Sequence, residues 1–307
     1  MLKVDKILFP TDFSESAQQA LDYALFLAEQ FEAELHLLHA VVLHAHDPSE
    51  DGSDFPEPPE ILKRLFEIAD SEMGRILEQN KSKTFSLKEA KVRGFSAGSV
   101  ILDYAAENEI DLIVMGTHGR RGAARIFIGS VAAEVVRQAT CPVLTLHKRS
   151  SDKKMPRVET IVVPVDFSDH SSTAVTYAKE IASITGARLQ LLHVIEEPTY
   201  PYFYAPVADV SLAANLEHLR EKTDAALDKL IYETQGPTVP TEKHVVTGTP
   251  SIEITRFAEE EGSDLIVIPT HGLTGVERML LGSTAERVVR LAACPVLAIK
   301  SFGKQLI

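Results

Sequence analysis

The chain has 307 residues, a net charge of −13 and two cysteines. An acidic balance of that size argues against a nucleic-acid backbone as main partner, since affinity for one comes from a basic surface; a small anion held by backbone amides stays open. No run of roughly 18 apolar residues is present and MLKVDKILFP lacks a signal-peptide core, so the expectation is a soluble, cytoplasmic chain with no membrane partner.

Lys6–Phe9 reads as a short apolar strand ended by Pro10. Ser14 then suits a helix N-cap, with Ala17, Leu21, Ala24, Leu25 and Ala28 at helical spacing. Leu35–Val42 is a second apolar strand, and Leu43–Glu60, rich in Pro, Asp and Glu, a loop. Ile61–Gln79 carries Leu62, Leu65, Ile68, Met73 and Ile76 on one helical stripe. Phe85–Val92 is a weaker strand, nearer an edge. Ser99–Asn108 reads as helix, Leu112–Met115 as strand, Ser130–Ala139 as helix and Val143–His147 as the last strand.

The same course then repeats. KILFPTDFSE at Lys6–Glu15 matches TIVVPVDFSD at Thr160–Asp169, and ELHLLHAV at Glu34–Val41 matches RLQLLHVI at Arg188–Ile195. ENEIDLIVMGTHG at Glu107–Gly119 matches EEGSDLIVIPTHG at Glu260–Gly272. Asp12 and Asp166 stand 154 positions apart, His118 and His271 153 apart. So constant an offset means a duplicated domain, and about 150 residues suit one core. The expected division is domain one at 1–147, a polar linker at 148–157 (KRSSDKKMPR) and domain two at 158–307. Uninterrupted apolar strands alternating with helices predict an α/β fold: two tandem doubly wound domains, each a parallel sheet covered on both faces. Cys141 and Cys294, at matching positions before a proline, read as buried thiols in a reducing compartment.

Ligands of open parallel sheets sit past the carboxyl ends of the strands, where strand order reverses. In the first copy those positions are Pro10, Thr11, Asp12, Ala40, Val41, and Gly116 to Gly119; in the second, Pro164, Val165, Asp166, Val194, Ile195, and Pro269 to Gly272. Glycines let a backbone approach a ligand closely, and a helix start offers free N–H groups to an anion. Gly129-Ser130 and Gly282-Ser283 follow the glycine turns as such starts, with Arg120, Arg121 and Arg125 between in the first copy. Neither GxxxxGK[ST] nor GxGxxG occurs. By spacing alone, phosphate binding and a loop shaped only for folding are evenly matched.

The pattern G-x2-G-x9-G-[ST], complete at Gly116, Gly119, Gly129 and Ser130, resembles the ATP-binding signature of the universal stress protein family. PTDFSE, LLHAV and CPVL at family-like positions extend the resemblance over both copies. It implies a five-stranded parallel sheet per domain and an adenine nucleotide (ATP, or ADP or AMP, with Mg²⁺ as an option) as cofactor. Carried over, Asp12, Val41 and Met115 lie near adenine or ribose. Gly116, His118, Gly119, Gly129 and Ser130 lie near ribose and phosphates, with Val131 and Ala132 donating N–H groups. The second set is Asp166, Ile268, His271, Gly272, Gly282, Ser283, Thr284 and Ala285. The resemblance also implies pairing through the last strands, Pro142–His147 and Pro295–Ile299, within the chain and between two chains. Pro269 departs from the pattern: it has no N–H, which predicts weaker binding in the second copy. Ser283–Glu286 has the form of a capping box, a structural role for Ser283.

No triad, paired-carboxylate site or nucleophile elbow is evident. The expected function is therefore nucleotide-dependent regulation in a stress response without fast turnover; the alternatives are a slow ATPase and a nucleotide-free assembly scaffold. Asp12 and Asp166 suit ribose hydroxyls or water-held Mg²⁺. His36, His39, His44 and His46 are dense, but alternation puts His36 and His39 on opposite strand faces, so solvated or packed histidines are favoured over a metal site. Tyr200, Tyr202, Phe203 and Tyr204 suit packing against a domain better than covering a ligand.

Overall fold

The computed structural model describes residues 2–42, 59–118, 128–147, 157–196, 205–272, 281–300 and 302–307, at 59 and 205–216 by backbone alone. The acidic loop with His44 and His46, the arginines after Gly119, most of the linker and the aromatic loop lie outside the described residues.

The chain forms two compact units. The first comprises Lys3–Pro156 and Phe302–Leu306, the second Met1–Leu2, Arg157–Ser301 and Ile307. The first unit runs β1 (Lys6–Pro10), α1 (Glu15–Phe31), β2 (Glu34–Val42), α2 (Pro59–Gln79), β3 (Leu87–Gly94), α3 (Ala97–Glu107), β4 (Leu112–Gly116), α4 (Ser130–Gln138) and β5 (Val143–Leu146). Its strands lie in the order β3-β2-β1-β4-β5, with every adjacent pair parallel. The second unit repeats this with β6 (Thr160–Pro164), α5 (Asp169–Thr185), β7 (Arg188–Ile195), α6 (Ala205–Glu233), β8 (Thr241–Thr247), α7 (Pro250–Glu260), β9 (Leu265–Pro269), α8 (Ser283–Leu291) and β10 (Val296–Ile299). The order is β10-β9-β6-β7-β8, again parallel. Each unit is thus a doubly wound five-stranded sheet, as the apolar strand runs predict.

The apolar runs explain the core. Ile7, Leu8, Phe9, Leu35, Leu37, Leu38 and Ile113 are fully buried, as are Ile161, Leu189, Leu191 and Leu192. Burying each such side chain contributes roughly 1.5–3 kcal/mol. Serines start the first helix of each unit: Ser14 accepts from the Ala17 N–H and Ser168 from the Ser171 N–H. Left-handed Glu32 and Gly186 end those helices. β3 carries half-buried and exposed residues throughout, in keeping with its edge position.

Where the strands begin, an aspartate staples each sheet. Asp111 Oδ2 accepts the Asp5 and Lys6 N–H groups, both at 2.8 Å. Asp264 Oδ2 accepts those of Glu159 and Thr160 at 2.9 and 3.1 Å. In the first unit Lys304 pairs with Asp111. The Lys304 N–H donates to Thr140 O at 2.7 Å and the Lys3 N–H to Leu306 O at 3.0 Å, so the tail Phe302–Leu306 closes that end of the first sheet.

Candidate functional site

The strand order reverses between β1 and β4, which opens a crevice past their carboxyl ends. The β1–α1 loop forms one wall. The Thr11 N–H donates to Leu38 O (2.8 Å), and Thr11 O accepts from His39 Nδ1 (2.8 Å). Thr11 Oγ1 takes the Phe13 N–H (3.0 Å) and Asp12 Oδ1 the Ser14 N–H (3.0 Å). Phe13 sits at φ 60°, a left-handed conformation that costs a non-glycine residue on the order of 1–3 kcal/mol. Its ring stacks on His39, centroids 4.6 Å apart. Asp12 is thereby held at the loop apex.

The β4 end forms the other wall. The Thr117 N–H donates to Leu146 O (2.8 Å), and the Gly129 N–H returns to Thr117 O (2.7 Å). That bond closes the loop and seats the start of α4 beside the end of β4. Gly129 is the N-cap, and no side chain caps α4. The amides of Ser130, Val131 and Ala132 have no hydrogen-bond acceptor among the described residues and stand at the positive end of the helix dipole. A Cβ on Gly129 would lie 3.0 Å from Thr117 O, and one on Gly116 would lie 2.7 Å from Ser16 Oγ. A side chain at either position would press on a neighbour, so both glycines suit the close approach, whatever binds.

Thr117 is fully buried, and its hydroxyl lies 3.2 Å from Leu146 O, 2.9 Å from His118 Nδ1 and 3.1 Å from His147 Nδ1. With the hydroxyl hydrogen on Leu146, both Nδ1 atoms are the donors, and His118 keeps Nε2 for other work. His118 Nε2 is buried with no hydrogen-bond partner among the described residues, and so is Ser16 Oγ beside Gly116.

β2 supplies the third wall. It pairs with β1 only as far as Leu38, opposite Pro10, and with β3 through Val42. Since Leu38 O faces β1, alternation turns the Ala40 N–H and C=O to the same side, beyond the end of β1. The Val41 side chain is buried, as are Met115 and Ile268. Ala40 is thus the β2 residue whose backbone faces the crevice, and Val41 borders it from within the core. Pro10, Thr11, Asp12, Ala40, Gly116, His118, Gly129, Ser130, Val131 and Ala132 all lie on the elements that bound it. Gly119 is outside the described residues.

The second unit reproduces this framework. The Val165 N–H donates to Leu192 O (2.9 Å), Val165 O accepts from His193 Nδ1 (2.8 Å), and Phe167 at φ 61° lies on His193, centroids 4.7 Å apart. β6 ends opposite Leu192, so alternation exposes the Val194 backbone. The Gly282 N–H closes on Thr270 O (2.8 Å). Besides Val165 for Thr11 and Pro269 for Gly116, three details differ. Asp166 Oδ1 accepts Ser168 Oγ (2.6 Å) and Ser171 Oγ as well as the Ser168 N–H (3.1 Å), and its Oδ2 lies over Gly272, where a Cβ would collide. His170 stands where Ser16 does and faces His271, centroids 6.5 Å apart. Glu286 adds a carboxylate to the first turn of α8, whereas α4 has none.

The capping-box expectation is corrected. Gly282, not Ser283, is the N-cap of α8, and no side chain caps it. The Gly282 N–H bond to Thr270 fixes the helix start one residue early, which leaves Ser283 exposed in the first turn, ahead of half-buried Thr284 and buried Ala285. Ser283 thus has the same setting as Ser130.

Outside the crevice, His36 is buried between Tyr104 OH, 2.9 Å from Nδ1, and the Glu34 carboxylate at Nε2. Burial holds its pKa below the ordinary 6.5, against the opposing pull of Glu34. No group of three or more His, Cys, Asp or Glu among the described residues could hold a metal ion, and no described helix is long and apolar enough to cross a membrane. Sequence reasoning missed the two histidine–carbonyl bonds. The signal was present, because LLH and DFS recur together in both copies.

Comparison with known proteins places this framework. The model of the universal stress protein family matches residues 3–147 and again 157–300. A universal stress protein of Methanocaldococcus jannaschii is 40% identical over 147 residues, 47% of this chain and 84% of that protein. One of Mycobacterium bovis is 30% identical over 200 residues, 63% of each chain, so the match spans just under two thirds of that relative. In fold, the crystal structure of a universal stress protein from Archaeoglobus fulgidus aligns over 97% of both chains with a TM-score of 0.67 at 22% identity. With both copies matched from first strand to last, the chain belongs to the universal stress protein family and carries its domain twice.

Proposed function

We propose that each unit binds an adenine nucleotide in its strand-end crevice, and that the chain serves stress regulation through its nucleotide state without fast turnover. The observation that carries this reading is the Gly129–Thr117 closure, which sets an uncapped helix start next to the end of β4. Phosphates would meet the Ser130, Val131 and Ala132 amides, and His118 Nε2, an acceptor while Nδ1 carries the hydrogen, would face a ribose hydroxyl. Ribose hydroxyls would meet Asp12. The adenine edge, one donor beside one acceptor, matches the outward N–H and C=O of Ala40. In the second unit the same roles fall to Ser283, Thr284, Ala285, His271, Asp166 and Val194. The Asp166 clamp and Glu286 favour weaker polyphosphate binding there, as Pro269 does. Asp12 or Asp166 would hold Mg²⁺ through water, and the ion would supply positive charge against the phosphates. Self-association through the last strands belongs to the same reading.

The test is the identity and stoichiometry of nucleotide released on denaturing freshly purified protein, by chromatography and mass spectrometry, followed by titration with ATP and Mg²⁺. Near one ATP per chain is expected, held by the tighter first site while the weaker second site empties on purification; near two would mean that Pro269 is tolerated. ADP would favour a hydrolase. An empty protein that also fails to bind added ATP refutes the reading and leaves the assembly scaffold. Sedimentation velocity with and without nucleotide tests self-association.

A further inference from the structure

We infer that His39 and His193 are positioning residues for nucleotide recognition: each clamps the loop carrying the ribose-facing aspartate, through an Nδ1–H bond to a loop carbonyl and a ring laid under a left-handed phenylalanine. This rests on the nucleotide-binding reading above.

Both copies contain the full arrangement. Nδ1 lies 2.8 Å from Thr11 O in one and 2.8 Å from Val165 O in the other. A carbonyl only accepts, so Nδ1 carries the hydrogen at either charge state of the ring. The phenylalanine φ angles are 60° and 61°. The next residue, Ser14 or Ser168, gives its N–H to Oδ1 of the aspartate, at 3.0 and 3.1 Å. The carboxylate is thus tied to a backbone turn that the histidine holds.

A comparison of the copies removes one competing explanation. In the first, Thr11 Oγ1 also takes the Phe13 N–H and could by itself hold the turn. In the second that residue is Val165, which has no hydroxyl, and yet Phe167 keeps the same conformation. What the two loops share is the histidine–carbonyl bond, the ring contact and the Asp–Ser turn, together with the N–H bond of Thr11 or Val165 to the neighbouring strand and the serine N-cap. The histidine sits on β2 or β7, one residue before Ala40 or Val194, so one strand end sets both the aspartate and the backbone pair that would face the base.

Three substitutions separate the two halves of the clamp, each made at His39 and His193 together in the intact chain so that both sites report alike. His→Asn keeps a donor on Cγ, where Nδ1 was. His→Phe keeps a ring without the donor, and His→Ala keeps neither. Affinities for ATP and for 2′- and 3′-deoxyATP are compared. The Ala pair should weaken ATP binding about three- to tenfold, the size of one lost hydrogen bond, and bring the ATP-to-deoxyATP ratio toward one. The Phe pair should follow it, and the Asn pair should stay within about twofold of the parent. In an Asp12→Asn, Asp166→Asn background the Ala pair should change the ratio no further. An unchanged ratio in the Ala pair, Asn no better than Phe, or a further fall in the aspartate background overturns the inference. A ligand-free reading keeps it testable if the parent binds no nucleotide, which would refute the functional reading alone. Exchange protection of the Ser14 and Ser168 amides should fall about tenfold in the Ala pair and persist in the Asn pair, and unchanged protection in the Ala pair overturns the clamp.

Discussion

Ser16 offers a direct test of whether the first crevice is built for a ligand. It lies in the first turn of α1, is 6% exposed, and its Oγ has no hydrogen-bond partner among the described residues. The hydroxyl sits against Gly116, 2.7 Å from where a Cβ would be. A buried hydroxyl left unpaired costs about 1–3 kcal/mol. Ser16→Ala removes that cost, leaves the fold's volume nearly unchanged, and adds up to about 0.5 kcal/mol of helix propensity. The expected gain is therefore about 1–2 kcal/mol in the first unit. For a unit of this size that is a rise in Tm of roughly 3–6 °C. Denaturant and thermal unfolding of the ligand-free intact chain measure it. The second unit, with His170 at this position, should show an unshifted transition. ATP affinity is then compared in the same samples. A gain in stability with a loss of affinity means that the orphan hydroxyl is retained for the ligand. A variant that is neutral, or less stable by about 1 kcal/mol, would refute the reasoning, because the hydroxyl would then have a partner in solution.

Three further outcomes are expected. Burial holds His36 below 6.5, so the unfolded chain takes the proton first as pH falls. The parent should lose stability from about pH 6.5 downward relative to His36→Gln, the residue found at Gln190, and parallel denaturation profiles between pH 7.5 and 5 would contradict this. Lys179 donates to Ile231 O and Thr234 O at 2.9 and 2.7 Å, and burial depresses its pKa below 10.5. Lys179→Met should cost about 1–3 kcal/mol at neutral pH by orphaning those carbonyls. Because the folded Lys179 sheds its proton first, the parent should gain on the variant as pH rises toward 10.5, and a difference independent of alkaline pH would be inconsistent with the depressed pKa. Glu286→Ala removes the carboxylate from the first turn of α8 and should tighten ATP binding in the second unit about two- to fivefold at low salt, an effect that shrinks as salt is added. Titration of the weaker site measures it, and no change would mean that Glu286 points away from the phosphates.

Much of this architecture was legible because a parallel sheet buried on both faces writes itself as uninterrupted apolar runs. Ile7–Phe9, Leu35–Leu38 and Leu112–Met115 needed no periodicity to be read as strands, and the repeat supplied each run twice. The edge strand β3 was legible for the opposite reason, since its polar residues face solvent. What escaped was hydrogen bonding set by three-dimensional register. Ala40 rather than Val41 turns its backbone to the crevice because β1 stops at Pro10, and no local pattern announces that. Ser283–Glu286 satisfied a capping rule, but the Gly282–Thr270 bond, which spans 12 positions of sequence, had already fixed the helix start. Asp111 and Asp264 precede an apolar run in both copies, and nothing in that local pattern announces that each holds two backbone amides at the start of the neighbouring strand.

The duplication also shows where the chain has resisted change. On β2 and α3, the trio of half-buried Glu34 with buried His36 and Tyr104 corresponds to Arg188, Gln190 and Phe257, and all three members are replaced without loss of the fold. A core can be repacked in this way as long as volume and pattern are kept. At the strand ends the reverse holds. The loop closures measure 2.7 and 2.8 Å, the two histidine–carbonyl bonds both 2.8 Å, and the two phenylalanines remain left-handed. Thr11 has become Val165 and Gly116 has become Pro269 around them, yet the geometry holds. Strain kept through such replacement points to what it positions, and here it lies in the turn that holds an aspartate, beside the backbone donor–acceptor pair and the helix start that border the same crevice.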